Sequence, residues 1–272
     1  MRFKSALSLQ VQNDSKEYLN LKISIITVWY NSEKTIEDTL RSVSNQKNVS
    51  VEHVLIDGAS TDKTVDLIKE YSSITTFVSE PDRGIYDAMN KGIAFATGDV
   101  VGTLNADDFY INSHVLEDVA QVFSDPTIDA CYGDLLYVSQ NNVDQIVRFW
   151  KSNDYKSDLF KSGWMPAHPT FFARKNVYER LGNFNLEYKL AADFELLFRF
   201  IEQNKIKTQY LPQVLVKMRL GGATNKSMTN ILKQNKEIFT ILRKHYIDFS
   251  MVKFFYRKLL NRFLQFIRRP QV

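Results

Sequence analysis

Asp99-Val100-Val101-Gly102-Thr103-Leu104-Asn105-Ala106-Asp107-Asp108-Phe109-Tyr110 decides how this chain is read. It opens as an apolar, β-branched run of the kind that forms a strand buried on both faces. The run then stops in a polar turn with two adjacent carboxylates. In an open parallel sheet, ligands collect just outside the carboxyl ends of the strands. Asp107 and Asp108 therefore stand where a site is expected. Adjacent carboxylates repel each other, and a cation relieves the repulsion. Hard oxygen donors suit Mg²⁺ or Mn²⁺, and Mg²⁺ is commonly held by one or two carboxylates together with substrate phosphates. The plain alternative is that the pair caps the next helix.

Upstream, the same strand-then-helix design repeats. Ile23–Trp29 predicts a strand, with Ile36, Leu40 and Val43 at helical spacing behind it. Val51–Ile56 predicts a second strand, followed by a helix marked by Val65, Ile68 and Tyr71. Ile74–Val78 predicts a third, and Ala88, Met89, Gly92, Ile93 and Ala96 a helix with a small-residue face. Such alternation with short loops implies right-handed crossovers and a parallel sheet. Asn31, Asp57, Asp82 and Asp107 then follow successive strand ends, on one edge, where they can converge on one ligand. Taken singly, each has a plain alternative: Asp57 starts a helix, and Asp82 pairs with Arg83 in a solvated turn. Neither a G-x-x-x-x-G-K-[ST] loop nor a G-x-G-x-x-G turn is present. That argues against P-loop NTPases, kinases and dinucleotide oxidoreductases.

Downstream the pattern changes. Residues 113–123 predict a helix; Asp129–Val138 and Val143–Trp150 predict strands, paired as a hairpin around Asn141-Asn142. Residues 151–168 read as irregular, ending in Gly163-Trp164-Met165-Pro166-Ala167-His168-Pro169. His168, between restricting prolines, is a candidate acceptor or phosphate contact, or else a loop-packing histidine. Trp164 either presents its apolar face to a ligand ring or anchors the loop. Phe194, Leu197, Phe198 and Ile201 make one apolar helix face, leaving Asp193 at the helix start, where the plain reading is a cap. Val214–Leu220 predicts a late strand whose Arg219, beside Gly221 and Gly222, either reaches a diphosphate or lies solvated in a turn.

From Lys226 the chain reads as helical. Residues 251–272 carry Lys253, Arg257, Lys258, Arg262, Arg268 and Arg269, no acidic residue, and interleaved Phe and Leu side chains. A basic helix of that kind suits an anionic membrane surface; the plain alternative packs it back on the domain. Nucleic acid is not expected, since no binding motif accompanies the charge. The 272-residue chain has 44% hydrophobic residues and a net charge of +4, ordinary for a globular protein. One cysteine, Cys131, excludes an intrachain disulfide framework and Cys-based zinc sites. With no apolar run of spanning length and no signal-peptide pattern, the expectation is a cytoplasmic protein, peripherally associated with the inner face of the cell membrane.

Four blocks carry a family resemblance. They are Ile25–Asn31, Ile56-Asp57-Gly58-Ala59-Ser60-Thr61-Asp62-Lys63-Thr64, Glu80–Gly92 and Leu104-Asn105-Ala106-Asp107-Asp108. In order and spacing they resemble family 2 inverting glycosyltransferases of the bacterial surface-polysaccharide type. The resemblance implies a GT-A-like α/β fold: an open, twisted, mostly parallel sheet flanked by helices, with a C-terminal helical extension. It implies an N-terminal lead-in (1–21), a donor-binding half (22–112), an acceptor-binding and catalytic half (113–225) and a basic helical tail (226–272). It also implies a nucleotide-sugar donor, typically a UDP-sugar, a divalent metal, and a saccharide acceptor on a polyprenyl carrier. Carried over by position, Asp57 contacts the base, Asp82 and Arg83 lie along the nucleoside diphosphate, Asp107 ligates metal, and Asp193 is the catalytic base. Asn105 replaces the usual first Asp of the D-x-D place, and Ala192 replaces a frequent Glu. The chemistry agrees with one such carboxylate. Inversion needs a single base on the acceptor hydroxyl, opposite the leaving group.

Overall fold

The structure is a computed structural model. It describes residues 21–69, 71, 74–221, 227–246, 249–267 and 270. The lead-in up to residue 20, Gly222 and Arg268 and Arg269 of the tail lie outside the described residues.

The first half follows the expected alternation. Strand β1 (Lys22–Trp29) leads to helix α1 (Ile36–Ser44), β2 (Ser50–Asp57) to α2 (Thr64–Ile68), β3 (Thr76–Ser79) to α3 (Ile85–Phe95), and then comes β4 (Val100–Thr103). β1 pairs in parallel with β2 on one side and β4 on the other, and β3 pairs in parallel with β2. The strand order therefore reverses direction at β1 and β4, which opens a crevice at their carboxyl ends. β1 is apolar on both faces because both are covered. Ile26 and Val28 join the core beneath α3, while Ile23 and Ile25 join the opposite core. α3 sits so close that a Cβ on Gly92 would lie 2.3 Å from Ile26 Cγ2, which is why a glycine occupies the middle of this helix.

The second half is mixed. It contains β5 (Asp108–Tyr110), α4 (Val115–Val122), β6 (Ala130–Val138), β7 (Ile146–Trp150), β8 (Phe172–Arg174), α5 (Lys175–Leu181), α6 (Ala192–Leu197) and β9 (Thr208–Arg219). The order is β3-β2-β1-β4-β8-β6-β9-β5, with β7 paired to β6 beyond the stretch that holds β8. β4 and β5 are thus neighbours in sequence but separated by β8, β6 and β9 in the ladder. On a flat sheet, four inter-strand steps would part them by about 19 Å. The link Leu104–Asp107 is folded into a turn, with Asp108 N donating to Asn105 O at 3.0 Å, so the sheet curls to bring its ends together.

β9 starts earlier than the expected Val214. Pro212 cannot donate to a ladder, and the β6–β9 register shifts between Tyr132 and Asp134, opposite it. The strand continues on both sides of that irregularity. Segment 151–168 is irregular as expected, with one short helical turn at Leu159–Ser162. It is held by Phe160, whose ring meets Trp164, Phe194 and Phe198 edge-on, each at 5.5 Å. That aromatic cluster also seats the start of α6. Two further helices close the chain, α7 (Met228–His245) and α8 (Met251–Ile267).

Candidate active site

The crevice at the β1–β4 switch point opens into a cavity of about 1110 Å³. One wall is the strand-end edge, with Asn31, Asp82, Asn105 and Asp107; the facing wall carries Trp164, His168 and Asp193. Residues from both halves of the sequence therefore meet in one space.

The strand-end residues have distinct roles. Asn31 adopts a left-handed conformation (φ 52°), and its Oδ1 accepts from Thr61 N at 2.9 Å and Asp62 N at 3.3 Å, tying the first turn to the second. Asp57 is fully buried; it accepts from Ser60 Oγ at 2.5 Å and Ser79 Oγ at 2.6 Å and does not line the cavity. Asp82 lines the cavity, its Oδ1 accepting from Gly84 N at 2.7 Å. Its carboxyl packs on Gly58, where a Cβ would lie 2.5 Å away. Arg83 turns outward and pairs with Asp87 at 2.8 Å.

The Asp pair splits. Asp107 lines the cavity, whereas Asp108 begins β5 opposite Met218, so strand alternation turns its carboxyl to the other side. Asp108 is 0% exposed, and burial pushes its carboxyl well above the usual carboxylate range, with the Asp107 charge adding to the rise. The expectation that both aspartates face one ligand is corrected: only Asp107 lines the cavity. Arg219 is also corrected. It is buried on β9, donates to the Asp107 carbonyl at 3.0 Å and to the Asp38 carboxylate, and lies over the Phe109 ring. It fastens the turn that presents Asp107 instead of facing the cavity. Among the described residues no group of three or more His, Cys, Asp or Glu is placed to hold a metal unaided. Asp107 beside Asn105, whose buried Oδ1 has no hydrogen-bond partner, is an all-oxygen set suited to a hard cation that shares its shell with phosphates.

Across the cavity, Asp193 stands in the first turn of α6. Its Oδ1 accepts from Phe194 N at 2.8 Å and from Tyr86 Oη at 3.1 Å, and its Oδ2 lies 3.4 Å from His168 Nδ1. Burial lowers the His168 imidazole, against the opposing pull of Asp193 and Asp107, which favours the neutral ring. Trp164 is anchored by Nε1 donating to Asn153 Oδ1 at 3.0 Å, while part of its surface lines the cavity.

Two residues that sequence reading passed over position Asp193. Tyr86 lies inside the Glu80–Gly92 block, and only the fold shows that its hydroxyl crosses to Asp193. Glu237, on α7, accepts from the backbone N–H groups of Lys189, Leu190 and Ala191 at 3.1, 2.9 and 2.9 Å. These charge-assisted bonds fix the turn that launches α6. Glu237→Ala is expected to lower kcat about tenfold with little change in donor KM, as misplacement of a reacting group does. Glu237→Gln, which still accepts, recovers part of the loss; steady-state kinetics on the two variants check this.

A parallel-sheet crevice with a polar strand-end edge, facing a lone carboxylate from the mixed half, is the arrangement of a nucleotide-sugar glycosyltransferase. The chain belongs to glycosyl transferase family 2, whose family model matches residues 24–182. A PGL/p-HBAD biosynthesis glycosyltransferase of Mycobacterium bovis is 30% identical over 208 residues, covering 74% of this chain and 78% of that protein. An uncharacterized glycosyltransferase of Nostoc sp. is 28% identical over 266 residues, 91% of this chain and 82% of that one. Among solved structures, Staphylococcus aureus TarS 1–349 superposes with a TM-score of 0.61 at 18% identity, over 88% of this chain and 72% of that one. A Pyrobaculum calidifontis mannosyltransferase in complex with GDP-Man and Mn²⁺ gives 0.61 at 17% identity, over 94% and 77%. At those identities the structures establish the shared GT-A fold, curled sheet and C-terminal helices included.

Proposed function

We propose that the enzyme transfers a hexose or N-acetylhexosamine, with inversion, from a UDP-sugar to a hydroxyl of a lipid-linked saccharide acceptor. The observation that carries this is the placement of Asp193, braced by Tyr86 and beside His168, across one cavity from Asp107. In this reading residues 22–112 hold the donor along the Asn31–Asp82 edge and residues 113–225 hold the acceptor. Asp193 Oδ2 takes the proton of the acceptor hydroxyl as its oxygen attacks the anomeric carbon, and the nucleoside diphosphate departs from the opposite face. Tyr86 and Phe194 N hold Oδ1, leaving Oδ2 as the oxygen that receives the proton. Asp107 and Asn105 would hold Mn²⁺ or Mg²⁺, which would supply positive charge to the leaving diphosphate. TarS has been solved with UDP and with UDP-GlcNAc, and the Pyrobaculum enzyme with GDP-Man and Mn²⁺, which supports donor and metal by analogy.

Calorimetry with UDP, GDP and dTDP, each with Mn²⁺ and again with EDTA, tests this reading. One nucleotide is expected to bind tightly, and EDTA or Asp107→Ala to weaken it at least ~30-fold, the cost of about 2 kcal/mol of lost charge stabilisation. Binding of all three that ignores both EDTA and Asp107→Ala refutes the metal-bound donor site.

The membrane part of the proposal combines the two readings the sequence offered for the tail. No helix among the described residues is long and apolar enough to cross a membrane. α8 does pack on the domain, through Phe254 against Gly163 and Phe239. Yet its outward stripe is apolar: Val252, Tyr256, Leu259 and Phe263 are 80, 69, 72 and 61% exposed. Lys253 and Arg257 flank this stripe. Such a helix lies flat, its apolar side in the acyl boundary and its flanking cations at anionic headgroups. Flotation with phosphatidylglycerol-containing vesicles is expected to capture the wild type and to lose Leu259→Glu/Phe263→Glu; equal recovery of both sinks this part.

A further inference from the structure

α8 brings a second set of charges to the cavity. Lys258 lines it from the inner side of the helix and Arg262 from the exposed rim, and Arg148 of β7 also lines the wall. Among the described residues no carboxylate pairs with any of the three. Arg148 is 9% exposed, its guanidinium lies 3.6 Å over the Tyr137 ring, and its Nε has no hydrogen-bond partner. Lys258 Nζ donates only to the neutral Asn235 Oδ1, at 2.7 Å. Burial, and then the Arg262 charge, bring Lys258 down to about 8, against the opposing pull of Asp193 across the cavity. Arg148 is buried and Lys258 half-buried, neither in an ion pair among the described residues, and an anion sharing the space relieves that cost.

The strand register sets Arg148 apart from the turn that carries Asp107. Arg148 is in register with Tyr137, Tyr137 with Met218, and Met218 with Asp108. Three inter-strand steps of about 4.8 Å put the Arg148 backbone up to ~14 Å from that turn. Arg262 has a second setting. It also borders the exposed apolar face of α8, made by Tyr256, Leu259, Leu260, Phe263 and Phe266. One arginine thus stands between a cation-lined recess and an apolar face.

From this juxtaposition we infer that Arg148, Lys258 and Arg262 form a subsite for the phosphoryl group of an amphiphilic acceptor, whose hydrocarbon chain runs out past Arg262 along the apolar side of α8. The inference rests on the transferase reading and adds to it the place where the acceptor's phosphate is held. The three cations hold the phosphate by charge. The hydrocarbon gains about 0.8 kcal/mol for each methylene it buries.

Calorimetry on the full chain with farnesyl phosphate, inorganic phosphate and farnesol, each below its aggregation threshold, tests this. Farnesyl phosphate is expected to bind at least ~10-fold more tightly than either fragment, the gain from burying even two methylenes. Arg148→Gln and Arg262→Gln are each expected to weaken it at least ~5-fold, the range of one charge-assisted contact. Leu259→Ser/Phe263→Ser is expected to weaken farnesyl phosphate but not inorganic phosphate. UDP affinity with Mn²⁺ is expected to stay within ~2-fold in Arg262→Gln, which lies on the exposed face of a helix and tolerates polar replacement. Equal binding of phosphate and farnesyl phosphate overturns the proposal in favour of a free-anion site. A parallel loss of UDP binding in the Arg148 and Arg262 variants overturns it in favour of the donor diphosphate. Farnesyl phosphate binding that survives when no nucleotide binds removes the donor assignment alone.

Discussion

Asp193→Asn is expected to abolish transfer while leaving the donor bound. The replacement keeps an oxygen for Tyr86 Oη and Phe194 N, which contact Oδ1 at 3.1 and 2.8 Å, so the geometry of the α6 start survives. What disappears is the basic oxygen facing the acceptor. A positioned general base contributes roughly 10²–10⁴-fold, so turnover with the acceptor used by wild type should fall about 10³-fold. UDP affinity in the presence of Mn²⁺ should move by less than about threefold, since a proton acceptor acts in the transition state and not in ground-state binding. His168 supplies the control. If His168→Asn loses as much turnover as Asp193→Asn, the imidazole is the base and Asp193 its orienter.

The second expected result is a marked acid sensitivity that starts well above the carboxylate range. His53 is buried in β2, with Nε2 3.0 Å from Thr27 Oγ1 and Nδ1 unpartnered, and burial pushes its imidazole down to about 3. In the unfolded chain it titrates near its ordinary 6.5. The unfolded state therefore binds the proton first, and stability present above pH 6.5 is lost as pH falls toward 3. By pH 4.5 the loss is about 3 kcal/mol, a large share of a typical domain's stability. Neighbouring Glu52 acts in the same direction lower down. Burial pushes its carboxyl up, but hydrogen bonds from Ser24, Thr97 and Lys22 outweigh this and hold it at about 2. Its contribution is present above 4.5 and is lost as pH falls from there toward 2. Urea unfolding followed by tryptophan fluorescence between pH 7 and 4.5 should show the wild-type midpoint falling steeply and His53→Gln nearly level. Parallel curves for the two proteins would remove His53 as the cause.

Much of this was legible in the residues. β1, β2 and β4 declare themselves because strands covered on both faces are rich in apolar, β-branched residues, and the polar turns near the strand ends mark the edge where Asn31, Asp82 and Asp107 line the cavity. Asp193 is legible as the polar residue opening an apolar helix. What was hidden depended on partners far along the chain. Asp107 and Asp108 look equivalent until Asp108 pairs with Met218, some 110 residues later, and is turned away. Arg219 reads as a solvated or phosphate-facing cation because its partners, Asp38 and the Asp107 carbonyl, lie in the first half. Pro212 masks the first part of β9, and β8 is too short, at three residues, to show a period. The tail's basic and apolar residues were visible, but helical spacing yields two faces without saying which one meets the domain. Here Lys258 turns inward, Arg262 stays at the exposed rim, and much of the oily side faces out.

The link Leu104–Asp107 joins strands with three others between them in the ladder, and an arginine from the late strand β9 holds it shut. It works as a clasp as well as the carrier of Asp107. Any change that spreads the second half of the sheet pulls on β9, and through Arg219 on the Asp107 carbonyl. The two walls of the cavity are therefore mechanically geared to each other. Grafting the second half of a relative onto this first half is expected to shift Asp107 unless the clasp, Asp38 and Arg219 travel together.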